Sequence, residues 1–216
     1  MKKILITGGG SGLGFELSKA YAKENNHLIL VGRNKEKLDL AVSTIIDNGG
    51  VADYIVCDIT DIKSIELLKN TLQKTYHRID CLINNAGIGY FGPIEELSID
   101  ELNQMLSINV KGTIWMTQTL LPLINEKIIN IISTAGLKGK INEAAYVASK
   151  FAIRGFTESL QKELTINVIA VYMGGMATPF WDHSTHIKDK SRLKNPSDVA
   201  KEILLKDDGR LEIFID

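Results

Sequence analysis

The sequence predicts an α/β fold with three layers, in which a mostly parallel sheet carries helices on both faces. Short apolar runs typical of buried strands alternate with amphipathic stretches of about three helical turns along the 216 residues. None of the connections is long, and this alternation implies right-handed crossovers between parallel strands. Ligands of such sheets bind beyond the carboxyl ends of the strands, so the residues that follow each strand are the first candidates for function.

Composition favours a globular protein that acts on small molecules. Apolar residues make up 44% of the chain and charged residues 24%, which is ordinary for a soluble protein. The 25 lysines and arginines are balanced by 26 aspartates and glutamates, so we expect neither nucleic acid nor a membrane surface as a partner. One core can fill a chain of this length, and we expect a single domain over residues 1–216.

The cysteines and the N-terminus indicate a cytoplasmic protein. Cys57 and Cys81 each follow or interrupt an apolar run, which places them at buried strands rather than in a disulfide framework. The apolar run at residues 4–6 is too short for a signal peptide or a membrane span. We therefore expect a reducing compartment and no membrane association.

The first strand, at residues 4–6, breaks into the glycine-rich sequence TGGGSGLG at residues 7–14, and a helix follows. Strand, glycine turn and helix together present backbone N–H groups and a helix N-terminus to a phosphate. A flexible linker would not stand between a strand signal and a helical pattern. We therefore interpret the sheet as a Rossmann-type, doubly wound sheet that binds a dinucleotide at this turn.

The second strand, at residues 27–31, ends in Gly32 and Arg33. Folds that prefer NAD place a carboxylate about 20 residues after the glycines to hold the ribose 2′-hydroxyl. Here Gly32 occupies that place, and Arg33 stands next to it with Lys35 and Lys37 beyond. Cations suit a 2′-phosphate, so we expect NADP(H) in preference to NAD(H). The alternative is that Arg33 is only a solvated residue at the start of the next helix.

The following elements continue the alternation as far as residue 87. They are a helix at 35–47 capped by Asn34, a strand at 51–57 followed by Asp58, a helix that Thr60 or Asp61 caps, and a strand at 79–83 that ends in NNAG.

Residues 98–125 predict one long helix or two consecutive ones. Ser98 and Glu101 resemble a capping box at its start. Asn109 lies inside the stretch, although asparagine competes for backbone hydrogen bonds in a helix, and a stabilised kink is the ordinary explanation. An apolar stripe at helical spacing is expected to face the core: Leu102, Met105, Leu106, Val110, Ile114 and Trp115.

The last third of the chain completes the sheet. We expect a strand at 127–132 followed by Ser133, a helix as far as about Leu164, a strand at 166–172, a loop at 173–178, a helix at 197–205 and a final strand at 211–215.

Tyr146 and Lys150 lie four residues apart in the predicted helix, and side chains at this spacing project from one face. A neighbouring ammonium favours the phenolate, so we expect Lys150 to lower the pKa of Tyr146 toward neutral pH and the pair to act in proton transfer. The alternative is that the pair lies by chance on a solvated helix face.

The chain resembles the short-chain dehydrogenase/reductase family in five features, which occur in the order and spacing of that family. These features are TG-x-x-x-G-x-G from residue 7, NNAG at residues 84–87, Asn109, Ser133, and Tyr146 with Lys150. The resemblance covers nearly the whole chain.

The resemblance implies a role for each of four catalytic residues. Tyr146 would protonate the carbonyl oxygen during reduction, or accept the hydroxyl proton during oxidation, while hydride moves to or from a nicotinamide. Lys150 would lower the Tyr146 pKa and hold the nicotinamide ribose. Ser133 would hydrogen-bond the substrate oxygen, and Asn109 would hold a water of the proton relay through its helix irregularity.

The resemblance also implies a cofactor site that extends from the adenine, at Asp58 and Ile59, to the nicotinamide carboxamide, at Thr178. Its residues are Gly8, Ser11, Gly12, Leu13, Gly14, Arg33, Asp58, Ile59, Asn85, Ala86, Gly87, Tyr146, Lys150 and Thr178.

The chain departs from the family pattern near its C-terminus. Met173 replaces a proline that is common before Gly174, residues 179–195 form a brief lid, and the chain ends soon after the last predicted strand. The resemblance implies a homodimer or homotetramer, with one interface at the helices near residues 100–125 and 143–164. The family's other interface lies at the C-terminal strand region, and we expect the short C-terminus to affect it.

The candidate substrate pocket contains aromatic side chains, which favour an apolar ketone or aldehyde. Alternatively, Phe180 and Trp181 only pack the lid onto the body. Lys138 and Lys140 either attract an anionic group, such as a carrier-linked acyl chain, or are solvated. No carboxylate or cysteine cluster accompanies His183 and His186, so no metal is expected. The pocket candidates are Gly89, Tyr90, Phe91, Leu137, Lys138, Glu143, Met173, Phe180 and Trp181.

The expected function is hydride transfer between NADP(H), or alternatively NAD(H), and a ketone, aldehyde or secondary alcohol. A 3-oxoacyl thioester reductase of fatty-acid synthesis would share every catalytic residue and differ only in its pocket. A regulator that senses NADP(H) with little catalysis is a third reading, and the intact Ser133, Tyr146 and Lys150 oppose it.

Overall fold

The computed structural model describes residues 1–182, 184, 186–187 and 189–215. The strands are β1 Lys3–Thr7, β2 His27–Gly32, β3 Val51–Val56, β4 Ile79–Asn84, β5 Ile124–Ile131, β6 Asn167–Met173 and β7 Glu212–Ile215. The helices are α1 Gly12–Ala22, α2 Lys35–Asp47, α3 Ile62–Thr75, α4 Ile99–Met105, α5 Thr113–Leu120, α6 Ala144–Glu163 and α7 Pro196–Lys206. Across these residues, no helix has both the length and the apolar character that a membrane span requires.

The strands form one parallel sheet in the order β3-β2-β1-β4-β5-β6-β7. The strand order reverses between β1 and β4. Connections on the two sides of this point run to opposite faces, and the crevice between them is where doubly wound sheets bind ligands. The predicted fold class is confirmed.

The apolar core lies on both faces of the sheet because successive strand residues point in opposite directions. Ile6 packs under α1, α2 and α7, whereas its neighbour Leu5 packs against α3, α5 and α6. Both side chains are fully buried. Burying a side chain of this size contributes about 1.5–3 kcal/mol. Apolar burial therefore stabilises the packing of helices on each face of the sheet.

The predicted helix starts are confirmed at their caps. Asn34 Oδ1 accepts the N–H of Lys37 at 2.9 Å, at the start of α2. At the start of α4, Ser98 and Glu101 form a reciprocal capping box, which pairs two N–H groups that would otherwise lack partners.

The stretch predicted as one or two helices has a different interior from the expected one. A π-helical segment, Leu106–Gly112, separates α4 from α5. A π-helical turn accommodates an extra residue and so rotates the face that follows. Leu106 is consequently 45% exposed, whereas Met116 and Leu120 are fully buried. The prediction that Leu106 faces the core is wrong for this reason.

The fifth strand also begins earlier than predicted. α5 ends at Leu120, a 3₁₀ turn spans Leu121–Leu123, and β5 starts at Ile124. Ile124 pairs with Ile79 before the register shifts by one residue. The polar pair after Ile124 hides this first section of the strand from a pattern-based prediction.

A buried polar chain connects the centre of the sheet to the helices on one face. Asn84 Nδ2 donates to Asn130 Oδ1 at 2.8 Å and to Thr117 Oγ1 at 3.0 Å. Asn130 Nδ2 in turn donates to Thr157 Oγ1 of α6 at 2.9 Å. These bonds hold β4, β5, α5 and α6 in fixed relation, just below the turns that carry the site.

Candidate active site

A cavity of about 610 Å³ opens at the carboxyl edge of the sheet. It collects the turns after the strands β1 to β6, the beginning of α6 and the segment after β6. The predicted site residues that line it are Gly8, Ser11, Gly12, Leu13, Arg33, Asp58, Ile59, Asn85, Ala86, Gly87, Ser133, Tyr146, Lys150 and Thr178. Gly14 and Asn109 are not among the residues that line the cavity.

The glycine-rich turn after β1 depends on the absence of side chains. Gly8 and Gly12 have φ values of +67° and +54°, in the region that favours glycine. A Cβ on Gly14 would lie 2.3 Å from the carbonyl oxygen of Gly8 and 2.5 Å from Asn85 Nδ2. Gly14 therefore allows α1 to start against the turn. Gly14 is not among the residues that line the cavity, and its predicted role in the cofactor site stays a prediction.

Thr7 joins the glycine-rich turn to the turn after β4. Its buried hydroxyl accepts the backbone N–H groups of Asn85 and Ala86, each at 3.0 Å. Its carbonyl oxygen accepts from Asn85 Nδ2 at 2.9 Å. Two strands that are neighbours in the sheet thus present their turns as one connected surface.

One end of the cavity carries two cations, Arg33 and Lys37. Both side chains are exposed, and within the described part of the chain neither forms an ion pair. Asp58 does not compete for them, because its Oδ1 accepts from the N–H and the hydroxyl of Thr60 at 2.9 and 2.7 Å. This end is therefore suited to an anionic group.

The residues present fit a dinucleotide that carries an additional phosphate. A Cβ on Gly8 would lie 3.0 Å from Asn85 Nδ2 and 3.2 Å from Ala86 Cα, so only glycine keeps the cradle open. Exposed backbone N–H groups and the N-terminus of α1 favour a pyrophosphate. Arg33 and Lys37 add charge-assisted donors for a further phosphate.

Ser133, Tyr146 and Lys150 converge at the other end of the cavity. Tyr146 and Lys150 lie one turn apart on α6 and are 8% and 7% exposed. Lys150 Nζ lies 5.7 Å from the centroid of the Tyr146 ring and donates to the carbonyl oxygen of Ile131 at 3.2 Å. Ser133 follows β5, and its hydroxyl is close enough to Tyr146 to lower the pKa of the phenol. The structure thus brings together the three groups that proton transfer to a carbonyl requires.

Burial controls the protonation of this group. It raises the pKa of Tyr146 well above its usual range, the nearby Ser133 hydroxyl lowers that pKa, and the carboxylate of Glu143 raises it further. The prediction that Lys150 brings the Tyr146 pKa toward neutrality is wrong for this arrangement, because loss of hydration of the phenolate is the largest cause. Burial also lowers the pKa of Lys150 to about 8. At neutral pH the phenol keeps its proton and the amine its charge.

Ser133 has a strained backbone. Its φ is +116° with ψ of 153°, which is uncommon for a residue other than glycine and costs about 1–3 kcal/mol. Its hydroxyl accepts the N–H of Ala135 at 3.1 Å, and its own N–H donates to the carbonyl oxygen of Val171 at 3.3 Å.

Asn109 lies in the π-helical segment, so the predicted helix irregularity at this position is confirmed. Its amide donates to the carbonyl oxygen of Ile88 at 2.8 Å and to Ser149 Oγ at 3.1 Å, and it accepts the N–H of Ile88 at 2.9 Å. The side chain therefore braces the turn after β4 against α6. The polar atoms of its side chain are engaged in these bonds, and its predicted role in holding a water stays a prediction.

Aromatic rings pack around Tyr146 at the substrate end. The Phe91 and Phe180 rings lie 5.3 and 5.8 Å from the Tyr146 ring, and Trp181 stacks on Phe91 at 5.0 Å. Phe180 and Trp181 line the cavity, and they also pack the lid against Phe91. The structure therefore agrees with both interpretations of these residues, as part of the pocket and as packing of the lid.

The remaining substrate-pocket predictions divide into two groups. Glu143, Met173 and Lys140 line the cavity, whereas the wall does not include Gly89, Tyr90, Phe91, Leu137 and Lys138. Gly89 instead gives room to Phe91, whose ring a Cβ would meet at 2.4 Å. His183 lies outside the described residues.

Sequence reasoning missed the contact between Glu143 and His186. His186 Nε2 lies 3.0 Å from Glu143 Oε1, and the two residues are 43 positions apart. No local pattern indicates such a pair, because the contact arises only when the lid folds onto α6. Lys37 and Ile187 also line the cavity. The sequence indicates Lys37 through its charge and does not predict Ile187.

The class of protein that this fold and cavity define is a nucleotide-dependent oxidoreductase. The family model of short chain dehydrogenases matches residues 2–189, and the chain belongs to this family. It is 28% identical to a sepiapterin reductase of Chlorobaculum tepidum over 215 residues, which cover 93% of this chain and 88% of the relative. It is 32% identical to a 3beta-hydroxysteroid dehydrogenase of Mediterraneibacter gnavus over 193 residues, 85% and 69% of the two chains.

Solved structures show the same architecture. A short-chain dehydrogenase of Shigella flexneri 2a, solved in complex with NADP, superposes with a TM-score of 0.90 at 29% identity. The match covers 99% of this chain and 95% of the other.

Proposed function

We propose that this protein is an NADP(H)-dependent carbonyl reductase, which transfers hydride between NADP(H) and a ketone or aldehyde, or acts on the corresponding secondary alcohol in reverse. The observation that carries the proposal is that Ser133, Tyr146 and Lys150 line the same cavity as the glycine-rich turn. A carbonyl oxygen placed between these hydroxyls would receive one orienting bond and one proton.

The protonation states support the direction of carbonyl reduction at neutral pH. A phenol with a raised pKa keeps its proton, so Tyr146 is a ready acid, and Ser133 orients the accepting oxygen. Lys150, still charged at neutral pH, is suited to hold the hydroxyls of a ribose. The bound nicotinamide supplies the hydride chemistry, and the chain supplies orientation, a proton and charge.

The preference for NADP(H) rests on Arg33 and Lys37, which line the cavity beyond the glycine turn. A charge-assisted hydrogen bond contributes about 1.5–3 kcal/mol. The relative from Shigella flexneri, which was solved with NADP, supports the same choice. Titration of cofactor fluorescence should therefore show tighter binding of NADPH than of NADH by about tenfold or more.

The test of the function is turnover of ketones, aldehydes and 3-oxoacyl thioesters, followed by cofactor absorbance. General acid catalysis contributes roughly 10²–10⁴-fold, so Tyr146→Phe should lose at least about a hundredfold of turnover while NADPH binding stays nearly unchanged. Tyr54→Phe is the matched control, because Tyr54 lies on β3 and is not among the residues that line the cavity. Wild-type turnover by Tyr146→Phe would contradict the assignment.

A further inference from the structure

Glu143 is a buried acid beside the proposed proton donor. It immediately precedes α6 and lies three residues before Tyr146, so the two side chains belong to the same side of the first helical turn. Both line the cavity, and only 10% of the Glu143 side chain is exposed. A carboxylate so removed from water requires hydrogen-bond partners.

Within the described residues, only one of the two carboxylate oxygens of Glu143 has a hydrogen-bond partner. Oε1 is hydrogen-bonded to His186 Nε2 at 3.0 Å. Oε2 lies 3.9 Å from Lys140 Nζ, beyond hydrogen-bond distance, and Lys140 itself donates to Thr134 Oγ1 at 3.3 Å. Glu143 also occupies the N-cap position of α6 without making a capping bond. Within the described chain, Oε2 is an acceptor that helix and sheet do not use.

The surfaces around this acceptor are apolar and flat. Phe180, Trp181, Met173 and Ile187 line the same end of the cavity. His186 stacks on the Phe91 ring at 5.0 Å with the planes 15° apart, which fixes the imidazole and through it the carboxylate. A small-molecule site with apolar walls and one placed polar group binds a ring through the walls and orients it through that group.

We propose that Glu143 determines substrate specificity by binding an N–H or O–H donor on the ring of a cyclic or aryl ketone. This inference rests on the carbonyl reductase function and deepens it by naming the substrate class. His186 is a positioning residue for the carboxylate. A ring that carries a carboxylate or phosphate at the same place is disfavoured, because it meets the charge of Glu143.

Lys140 is the alternative contact for the ring substituent, because it lines the same cavity. If Lys140 rather than Glu143 met the ring substituent, anionic ketones would be the preferred substrates. The two readings therefore predict opposite orders for the same set of compounds.

The probes are acetophenone and three meta-substituted forms of it, with an amino, a hydroxyl or a carboxylate group. The full-length protein, saturated with NADPH, should reduce the amino and hydroxyl ketones with kcat/KM about tenfold or more above acetophenone, and the carboxylate below it. The reason for this difference is that a donor on the ring would bind Oε2, which has no hydrogen-bond partner within the described residues. Equal values for the four ketones, or the carboxylate as the best substrate, would overturn the proposal.

Two variants separate the charge of Glu143 from its acceptor atoms. Glu143→Leu removes both, so the preference for amino and hydroxyl ketones over acetophenone should fall toward one. Glu143→Gln keeps an acceptor, so it should retain more of the preference for the hydroxyl ketone than Glu143→Leu and relax the exclusion of the carboxylate. Glu163→Gln, at the exposed end of the same helix, is the control and should leave every ratio unchanged.

A binding measurement distinguishes failure of the inference from failure of the proposed function. Trp181 lines the cavity, so quenching of tryptophan fluorescence in the NADPH complex reports ketone affinity without turnover. If no ketone is reduced but the amino and hydroxyl ketones bind more tightly in a Glu143-dependent way, the reductase function fails and the specificity role stands. Affinity ratios that survive Glu143→Leu would end the inference even if turnover is high.

Discussion

Lys150 is the residue at which folding and chemistry oppose each other most directly. The proposed reaction uses a cation there, yet burial lowers the pKa of Lys150 to about 8 from an ordinary value of 10.5. A shift of that size corresponds to about 3 kcal/mol between the two protonation states. The folded protein carries this cost whenever the lysine is charged.

The pH dependence of stability follows from the direction of this shift. Below about pH 8 the lysine is charged in both the folded and unfolded chains, so the full cost applies. As pH rises from about 8 to about 10.5, the unfolded chain keeps the proton that the folded chain has lost, so this contribution to stability rises. Lys150→Met should therefore be more stable than wild type at pH 7, by up to about 3 kcal/mol, with the gap closing toward pH 10.

Urea unfolding at several pH values measures that gap. Lys162→Met, at an exposed position of the same helix, should show a difference from wild type that does not change with pH. A constant gap for Lys150→Met over the same range would show that Lys150 does not titrate as proposed.

At the scale of elements, Thr7 decides whether two turns act as one surface. It is 1% exposed and accepts two backbone N–H groups of the turn after β4. Thr7→Val keeps the shape but leaves both buried donors unpaired, at about 1–3 kcal/mol each. We expect a loss of about 2–4 kcal/mol in unfolding free energy and weaker NADPH binding, measured by urea unfolding and cofactor fluorescence.

Two matched variants control that experiment. Thr7→Ser retains the acceptor and should restore most of the stability and the affinity. Thr71→Val removes an exposed hydroxyl that bonds to the carbonyl oxygen of Leu67 within α3, so it should change little. A Thr7→Val protein with wild-type stability and affinity would show that the two turns hold their places independently.

Local patterns predicted the elements and most of the site because the necessary signals lie close together in the chain. The glycine-rich turn, the Asn34 cap and the Ser98 capping box each occupy a few consecutive residues, and all are present. Tyr146 and Lys150 meet because helical spacing alone brings them together.

The predictions that were wrong share a physical cause: they concern features that depend on packing between segments distant in sequence. The π-helical segment places Leu106 at the surface, a rotation that apolar spacing alone does not indicate. The raised Tyr146 pKa reflects burial by Phe91 and Phe180, which stand far from it in sequence. Contacts of this kind depend on how the lid and the π-helical segment meet α6.

At the scale of the whole molecule, we propose that the protein forms at least a homodimer through α4, α5 and α6. Leu106 and Phe151, which border these helices or lie on them, are 45% and 42% exposed, and such side chains are typical of an apolar interface core. Phe151→Asp places a charge there and should shift the mass in solution to that of one 23.9 kDa chain.

Light scattering after size-exclusion chromatography measures this change. Leu40→Asp, at an exposed position of α2, is the control and should keep the mass of wild type. A wild-type protein that already runs as a single chain would refute the assembly, and a mass of four chains would add the homotetramer.

The placement of Glu143, Tyr146 and Lys150 along one helix separates two tasks by a single turn. In the proposed reaction, Tyr146 and Lys150 would serve proton delivery and the cofactor, whereas Glu143, about one turn earlier, would contact the substituent on the ring of the substrate. Substitution of Glu143 alone can therefore change substrate preference, while the residues of the proposed reaction stay the same. A scaffold built this way is a natural starting point for redesign toward other ketones.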